Sequence, residues 1–359
     1  MIGGAKSYLS NEALWLRFFG EGEDQLLRWM DSQTDTFKKR DPFKIINQQK
    51  QTVEDDFIQS HEFLTLELAR GCQFKCRFCS YPGIGQKKGT YLRNFEHVKT
   101  EILYNYERWG TTSYFLTDDT VNEDQDKIIQ LANFAQSLPF KLQWIGYNRL
   151  DLVGSRAGAP QILKDSGLIS TFFGIESFNS VAAKAVGKPW NSKYGKSYLD
   201  TLAREWGDDV TIHCSLIVGL PGDSPKHIID DNEWFRNSGV KSWYHNALFL
   251  NRDGPVCEFD REAEKYGYSF TTQFIWSNEF FNLLSAKKLC ARITHENREQ
   301  RHTKIAGWSV GEYASNNILT VDQAHKTSVY DIPHELIISK AQEHVGRYVD
   351  YQLNKATPY

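Results

Sequence analysis

Long apolar runs and low-complexity tracts are missing from this chain of 359 residues. No apolar stretch approaches the ~18 residues that a membrane-spanning helix needs. Residues 1–19 also lack a continuous apolar segment followed by a small-residue cleavage site. We therefore expect a cytoplasmic protein with no membrane contact. With 40% hydrophobic residues, the chain can bury one large core, or one core and a small appended domain.

Charge of one sign and cysteine are also scarce. The formal net charge of −3 argues against a surface that must coat a polyanion, although a local basic groove for nucleic acid stays open. Six cysteines are too few for a secreted domain stapled by disulfides. Three of them nevertheless lie within eight residues, as Cys72, Cys76 and Cys79, which indicates a metal site. The others stand far apart in apolar or mixed surroundings, which is typical of buried free thiols. They are Cys214, Cys257 and Cys290.

Strand-like and helix-like segments alternate six times between residues 63 and 250. The strand-like segments are FLTLELAR, TSYFLT, LQWIGY, STFFGI, VTIHCSLIV and KSWYHNALFL. Between them, apolar residues such as Val98 and Ile102 recur at helical spacing, and another helix is expected to begin at Ser224 and Pro225. The alternation predicts an α/β fold, a partial (β/α)₆ TIM-like barrel, with its chemistry at the C-terminal ends of the strands.

Three regions follow from this pattern. Residues 1–60 are predicted to be an N-terminal extension, with one amphipathic stretch around Leu14 to Trp29. Residues 61–250 form the predicted barrel core. Residues 251–359 are mixed, helix-leaning and rich in aromatic side chains, and we expect this C-terminal region to close the barrel mouth.

The segment GCQFKCRFCS follows the first strand segment and has the spacing C-x3-C-x2-C. Three thiolates this close can bind three corners of one four-iron cubane, whereas a tetrahedral zinc site usually needs a fourth protein ligand. No further cysteine or histidine follows closely in the sequence. One iron would then stay open to the amino and carboxylate groups of a substrate.

Together with Phe78, directly before the last cysteine, this segment resembles the cluster-binding motif of the radical S-adenosylmethionine (radical SAM) superfamily. The similarity runs from about Phe63 to Trp276 through ELARGCQFKCRFCS, FLTDDT, NRLDL, FGIES and SLIVGLPGDS. It is closest to the branch shared by cobalamin-binding radical SAM enzymes and methylthiotransferases. Residues 1–60 leave too little chain for the usual cobalamin domain, and the additional cysteine trio and RNA-binding barrel of methylthiotransferases do not appear. We therefore expect no cobalamin, and the reaction type stays open.

The resemblance implies a [4Fe–4S] cluster on the three clustered cysteines and S-adenosylmethionine as the second cofactor. In the family, the end of the second strand binds the amino group of S-adenosylmethionine, which implies Asp118 and Asp119 of FLTDDT as its partners. A carboxylate beside a cationic amine forms a strong charge-assisted hydrogen bond. The alternative is that this pair caps the helix expected near residues 122–126.

The ends of the third, fourth and fifth strand segments supply the remaining implied cofactor contacts. Glu176 of FGIES is implied on the ribose hydroxyls, with Ser177 as its neighbour. A buried carboxylate needs a partner, and Arg149 of NRLDL is our candidate. Arg149 is alternatively a clamp for the carboxylate group of S-adenosylmethionine. Leu220 lies in GLPG, a turn that resembles the family's adenine-binding edge through backbone contacts.

Polar side chains on the last two strand segments are candidate substrate contacts. Thr211, His213 and Ser215 share one face by the two-residue period of a strand. His245 and Asn246 take opposite faces, so one of the two can join them. We predict substrate contacts from His213, Ser215 and His245. The alternative for a lone strand histidine is a satisfied core residue.

These features predict an enzyme that cleaves S-adenosylmethionine to a 5′-deoxyadenosyl radical, which abstracts hydrogen from an unidentified small-molecule or nucleic-acid-borne substrate. An external electron donor such as flavodoxin or ferredoxin is expected. Two alternatives stay open. One is methyl or methylthio transfer without cobalamin, and the other is a non-catalytic iron–sulfur electron carrier or a zinc-binding module.

Overall fold

The computed structural model describes residues 56–79, 92–252, 257–300 and 304–356. Its centre is a six-stranded parallel sheet in which the strands follow one another in the order of the sequence. In this part of the chain the first and last strands are not paired, so the sheet forms an open, partial barrel, as the alternation predicts. The strands are β1 (Phe63–Leu66), β2 (Ser113–Leu116), β3 (Gln143–Asn148), β4 (Leu168–Glu176), β5 (Thr211–Val218) and β6 (Ser242–Ala247).

Helices fill each connection between successive strands. They are α1 (Phe95–Trp109), α2 (Gln125–Ser137), α3 (Leu150–Ser155), α4 (Ala159–Asp165), α5 (Ser180–Val186), α6 (Lys196–Trp206) and α7 (Pro225–Asn237). Short helical turns cover Val121–Glu123 and Asn191–Gly195. The predicted helix start at Ser224 is confirmed, because the Ser224 side chain accepts a hydrogen bond from the His227 amide and Pro225 occupies the first turn.

The chain after the sheet forms a short hairpin and further helices. The hairpin strands are β7 (Ser269–Phe270) and β8 (Trp276–Ser277), and the helices are α8 (Glu258–Arg261), α9 (Leu283–Glu299), α10 (Trp308–Ser315), α11 (Val321–Lys326) and α12 (His334–Ala356). Helical turns also cover Ala263–Tyr266 and Val329–Asp331. Among the described residues, no helix is both long enough and apolar enough to cross a bilayer. The predicted amphipathic stretch at Leu14 to Trp29 lies outside these residues.

The main core lies between the outer face of the sheet and the helices. Its largest fully buried side chains on the strands are Tyr114, Trp144 and Phe173. Burying an apolar side chain of this size contributes roughly 1.5–3 kcal/mol. The indole nitrogen of Trp144 donates to the carbonyl oxygen of Ser166 at 2.9 Å, so its one polar group is satisfied. This core holds the strands in register and fixes where their C-terminal ends lie.

Helix α10 packs on the inner face of the sheet. Gly311 faces the ring of Phe115, where an added Cβ would come within 2.4 Å, and Ser315 Oγ accepts a hydrogen bond from the amide of Phe63, the first residue of β1. The prediction that the C-terminal region closes the mouth is therefore wrong for this helix, which covers the interior beside the start of β1. Other parts of the C-terminal region do lie at the strand ends: Trp276 of the hairpin packs against Gly219 after β5, and the Phe259 amide in α8 donates to the Arg77 carbonyl of the cysteine segment.

Candidate active site at the C-terminal ends of the strands

The cysteine loop leaves β1 and contacts the segments that follow β2 and β3. Cys72 Sγ lies 3.4 Å from Thr120 Oγ1, and Gln73 Nε2 donates to the carbonyl oxygen of Glu123 at 3.2 Å. Arg149 Nη1 donates to Cys76 Sγ at 3.4 Å. The loop is thus held above the strand ends, where the chemistry of parallel α/β barrels is found.

Arg77 ties the same loop to two other parts of the chain. Its Nη1 donates to the carbonyl oxygens of Lys184 and Ala185 at 2.8 and 2.7 Å, at the C-terminus of α5. Arginine at this end of a helix satisfies carbonyls that lack a helical partner. The carbonyl oxygen of Arg77 accepts a hydrogen bond from the amide of Phe259 in α8 at 3.0 Å. The loop is therefore fixed from three sides.

The three thiols of the loop suit a cluster better than a single ion. All three are partly exposed. Among the residues that the structure describes, no three histidine, cysteine or acidic side chains converge as ligands of one metal ion. In a cubane each thiolate binds a different iron, so convergence on one point is not required. Burial raises the pKa of the Cys72 thiol, and the guanidinium of Arg149 lies beside Cys76.

The remaining cysteines are not part of the loop and pack in apolar clusters. Cys214 is fully buried in the main core on β5. Cys257 accepts a hydrogen bond from the Asp260 amide at the start of α8, and burial raises its pKa to about 12. Burial likewise raises the pKa of Cys290 to about 11. Burial thus favours the neutral thiol at all three positions, and their structural role stays a prediction.

The two aspartates after β2 have different surroundings. Asp118 is buried, its Oδ1 accepts a hydrogen bond from the Leu68 amide at 2.7 Å, and its Oδ2 accepts one from Lys127 Nζ at 2.7 Å. Both oxygens are thus engaged in joining β1 to α2. Asp119 is only half-buried. The cap alternative is wrong for both, because the side chain that caps α2 is that of Asp124.

Arg149 lies between the cysteine loop and the end of β3. Its Nε and Nη2 donate to both carboxylate oxygens of Asp151 at 3.0 and 2.7 Å, and its guanidinium lies 3.9 Å from the ring centroid of Phe74. Asn122 fixes its backbone through a reciprocal pair of hydrogen bonds at 2.8 and 2.9 Å. The predicted ion pair between Arg149 and Glu176 is therefore wrong. The Arg149 guanidinium instead donates to the carboxylate of Asp151 and to Cys76 Sγ of the cysteine loop.

Glu176 ends β4 in a strained turn and has a partner that the sequence pattern missed. Its φ is 65°, and the Ser177 amide donates to the Ile175 carbonyl at 2.9 Å across it, a three-residue turn that is costly for a residue with a side chain. Lys188 Nζ donates to Glu176 Oε1 at 2.7 Å and to the carbonyl oxygen of Gly174 at 2.8 Å. It also lies 5.8 Å from the ring centroid of Phe78. This pair therefore links the end of β4 to the cysteine loop.

Ser177 is fixed by a buried acid. Its hydroxyl donates to Asp223 Oδ2 at 2.7 Å, and Asp223 is fully buried after β5. His227 Nδ1 lies 3.4 Å from the other oxygen of Asp223. Burial is the main cause that raises the pKa of Asp223 to about 6, and the nearby Asp231 adds to the rise. The hydroxyl proton of Ser177 is thus engaged by Asp223, so we assign Ser177 the role of positioning the turn at Glu176.

The GLPG turn after β5 presents backbone rather than side chains. Gly219 has φ 102°, and an added Cβ there would come within 2.2 Å of the Trp276 ring. Its carbonyl oxygen accepts hydrogen bonds from Tyr268 Oη at 2.8 Å and Asn278 Nδ2 at 3.0 Å. The side chain of Leu220 is fully buried in the adjoining apolar cluster. The Leu220 side chain is therefore not available to a cofactor, and the backbone contact of this turn stays a prediction.

The inner faces of β5 and β6 carry His213, Ser215 and Tyr244. His213 pairs in register with Ser242, and its Nδ1 lies 2.8 Å from Ser242 Oγ. The prediction for His245 is wrong about its face, because it alternates with Tyr244 and shares the outer face with Trp243, whose ring stacks on Phe235 of α7. Asn246 takes the inner face instead.

Aromatic rings extend this inner face into a continuous wall. Phe172 lies 5.1 Å from the His213 ring and 4.7 Å from the Tyr147 ring, and Tyr147 lies 5.5 Å from the Trp308 ring. Burial lowers the pKa of His213 to about 4, so this wall carries no charge near neutral pH. Tyr147 is 38% exposed, which leaves part of the wall open to a bound molecule.

Comparisons with known proteins agree with this arrangement. Residues 66–235 match the radical SAM superfamily. The chain is 25% identical over 179 residues to the ribosomal protein uS12 methylthiotransferase RimO of Prochlorococcus marinus (strain MIT 9301), which covers 48% of this chain and 38% of that protein. It is 22% identical over 162 residues to an uncharacterized methyltransferase of Pyrococcus horikoshii, covering 45% of this chain and 34% of that one. The chain thus spans well under half the length of these relatives.

Solved structures extend the likeness in fold. The cobalamin-dependent S-adenosylmethionine radical enzyme OxsB, with aqua-cobalamin and S-adenosylmethionine bound, matches with a TM-score of 0.51 and 14% identity. The match covers 96% of this chain and 65% of that one. Members of the matched superfamily use a [4Fe–4S] cluster and S-adenosylmethionine. By its sequence match, its partial barrel and its cysteine loop, the chain contains a radical SAM domain at residues 66–235.

Proposed function

We propose that this chain is an enzyme that cleaves S-adenosylmethionine reductively and abstracts a hydrogen atom from a substrate with the resulting 5′-deoxyadenosyl radical. One observation carries the proposal. The cysteine loop is held against the ends of β2, β3 and β4 through Thr120, Arg149 and Lys188. A loop that only stored an electron would need no polar side chains at three neighbouring strand ends.

Cys72, Cys76 and Cys79 are proposed to bind three irons of the cluster. When bound, a [4Fe–4S] cluster would supply the electron that breaks a carbon–sulfur bond of S-adenosylmethionine. Arg149 donates a hydrogen bond to Cys76 Sγ and brings a positive charge next to it. Hydrogen bonds and charges around ligating sulfurs set the potential of a cluster, so Arg149 is proposed to tune it.

Asp119 and Glu176 are the proposed side-chain contacts of S-adenosylmethionine, on its amino group and its ribose hydroxyls. Asp118 then serves Asp119 indirectly, because its two engaged oxygens fix the backbone on which Asp119 stands. Lys188 and Ser177 hold the turn at Glu176 in the same way. The backbone of the GLPG turn is the proposed edge for adenine.

The aromatic wall is the proposed substrate face. Tyr147, Phe172, His213 and Tyr244 offer large, uncharged surfaces with hydroxyl and imidazole groups at their edges. Such a wall excludes water, which limits loss of a reactive radical to solvent. The substrate is proposed to be a small molecule or a nucleic-acid-borne group, and an external donor such as flavodoxin or ferredoxin is proposed to supply the electron.

The test is product analysis. Anaerobically reconstituted, dithionite-reduced protein is incubated with S-adenosylmethionine, and the products are separated by liquid chromatography and mass spectrometry. We expect slow formation of 5′-deoxyadenosine and methionine even without substrate, and none from the Cys72→Ala, Cys76→Ala, Cys79→Ala variant. S-adenosylhomocysteine would instead support methyl transfer. If a fully loaded preparation forms neither 5′-deoxyadenosine nor S-adenosylhomocysteine, even after candidate substrates are added, the electron-carrier alternative is supported. Bound zinc together with the absence of a brown absorbance band would support the zinc-binding module.

A further inference from the structure

Helix α12 has a row of apolar side chains on its exposed side. At ~100° per residue, four of them project within one sector of ~80°. They are Ile338, Val345, Val349 and Leu353, which are 46%, 60%, 48% and 62% exposed. With a rise of ~1.5 Å per residue, this row, the α12 stripe, is ~23 Å long. Single exposed apolar residues are ordinary, but an aligned set of four indicates an interaction surface.

Another side of α12 contacts the chain just before β1. The Phe57 ring lies 5.9 Å from the His344 ring and 5.0 Å from the Tyr351 ring. It also lies 5.6 Å from the ring of Tyr348, which borders the α12 stripe and is 46% exposed. Residues 1–55 precede this contact in the chain, so they join the described structure beside the α12 stripe.

Residues 14–29 are outside the described residues, and their sequence is amphipathic at helical spacing. At ~100° per residue, six of the eight apolar side chains would share a sector of ~140°, and four of the five charged ones a separate sector of ~60°. The apolar set is Leu14, Trp15, Phe18, Phe19, Leu26 and Trp29, and the charged set is Arg17, Glu21, Asp24 and Arg28. As a helix, this segment would be ~24 Å long, which matches the α12 stripe. An isolated helix of this length is marginal in water, and Gly20 and Gly22 weaken it further, so it needs an apolar partner.

The covalent connection favours this segment over a second copy of the chain as the partner of α12. Residues 30–56 form the connection, and 27 residues reach up to ~90 Å when fully extended, several times the length of the α12 stripe. A linked segment meets its site at an effective concentration of ~mM order, whereas separate copies meet at the concentration of the protein. The contact of Phe57 with Tyr348 also brings the end of this connection to the stripe.

We propose that residues 14–29 bind as an amphipathic helix along the α12 stripe of the same chain. Their apolar face covers Val345 and Val349, and their charged face is left to water. Helix α12 then lies between the N-terminal segment and the residues that precede β1. This contact holds the N-terminal extension and does not depend on the proposed reaction.

Photocrosslinking in the full chain is the first test. p-Benzoylphenylalanine replaces Val349 in an equal mixture of unlabelled and nitrogen-15-labelled protein, which is irradiated, digested and analysed by mass spectrometry. We expect crosslinks from position 349 to residues 14–29, each within a single isotopic form. The matched control carries the same group at Asp350, an exposed residue ~100° further round α12, and should give little crosslink to this segment.

Amide hydrogen exchange is the second test. Val349→Asp places a charge in the α12 stripe, and losing the burial of one valine alone should speed exchange of the amides of residues 14–29 at least ~10-fold. Ser339→Asp adds the same charge at an exposed position outside the α12 stripe and should leave this exchange unchanged.

Crosslinks between the two isotopic forms would show a second copy on the α12 stripe and overturn the proposal. Crosslinks from position 349 that avoid residues 14–29, or no crosslink above the Asp350 control, would overturn it as well. Unchanged exchange of the residue 14–29 amides in Val349→Asp would do the same.

Discussion

Replacing Lys188 by methionine removes the cation that holds Glu176 at the end of β4. Lys188 Nζ lies 2.7 Å from Glu176 Oε1 and 2.8 Å from the Gly174 carbonyl oxygen, and the two side chains are 10% and 7% exposed. Methionine keeps most of the volume but leaves a buried carboxylate uncompensated. Removing one partner of a buried ion pair costs ~3–5 kcal/mol. We expect a loss of this size in the free energy of unfolding, measured by denaturant titration.

The double variant Glu176→Gln, Lys188→Met separates the charge from the packing. It leaves no buried charge alone, so it should recover most of the stability lost in Lys188→Met, since replacing both partners of a buried pair is often close to neutral. Lys193→Met is the matched control, because Lys193 is an exposed lysine five residues further along. Its free energy of unfolding should stay within about 0.5 kcal/mol of the parent.

Cofactor affinity is the second readout of the same variants. Lys188→Met disturbs the orientation and charge of Glu176, so S-adenosylmethionine should bind ~10- to 150-fold more weakly, the range for losing one charge-assisted hydrogen bond. The double variant should be equally weak although it is stable. An unchanged dissociation constant together with unchanged unfolding in Lys188→Met would refute the reasoning about this pair.

Three further outcomes are expected. The triple variant of the cysteine loop should lose the four-iron complement in iron and sulfide analysis; its changes are Cys72→Ala, Cys76→Ala and Cys79→Ala. The triple variant of the other cysteines should keep that complement; its changes are Cys214→Ala, Cys257→Ala and Cys290→Ala. If the first variant retained its iron, the other cysteines would have to be ligands. Asp119→Asn should weaken S-adenosylmethionine binding ~10- to 150-fold with unchanged unfolding, whereas Asp118→Asn should lower stability because Lys127 loses its buried partner; the reverse pattern would exchange the two roles. The pKa of Asp223 is about 6 in the folded protein, above its ordinary value of 3.8. The folded state therefore holds this proton more tightly than the unfolded state does. The resulting stabilisation is complete below about pH 3.8 and is lost as the pH rises through about 6. The groups that face it are Ser177, His227 and Asp231. Asp223→Asn should remove a pH-dependent loss of ~3 kcal/mol, measured by unfolding between about pH 4 and about pH 7, and equal slopes in both proteins would contradict the assignment.

The strands and their order were predictable because parallel strands buried on both sides are short, nearly continuous apolar runs. LQWIGY and VTIHCSLIV correspond closely to β3 (Gln143–Asn148) and β5 (Thr211–Val218). Local signals also fixed helix starts, as Ser224 and Pro225 show for α7. The sequence after β6 has no pattern that indicates where its helices pack, so the position of α10 on the inner face of the sheet was not predictable.

The site was predictable by position but less so by partner. The strand ends carry the residues that the motifs single out, yet Glu176 pairs with Lys188 rather than Arg149. Glu176 ends β4 and Lys188 follows α5, and no fixed sequence spacing marks a pair of this kind. Arg149 and Asp151, in contrast, are two residues apart and meet in the folded turn. For His245, the two-residue period left both faces open, and only the register of β6 against β5 decides between them.

Arg77 gives the cysteine loop a mechanical connection to the chain beyond the sheet. One residue holds the end of α5 through its guanidinium and the start of α8 through its carbonyl oxygen. A displacement of the loop at Arg77 on iron insertion or loss is therefore expected to disturb the hydrogen bond to α8. Amide hydrogen exchange at Phe259, whose proton occupies that link, would then report the loading state of the loop from outside the barrel.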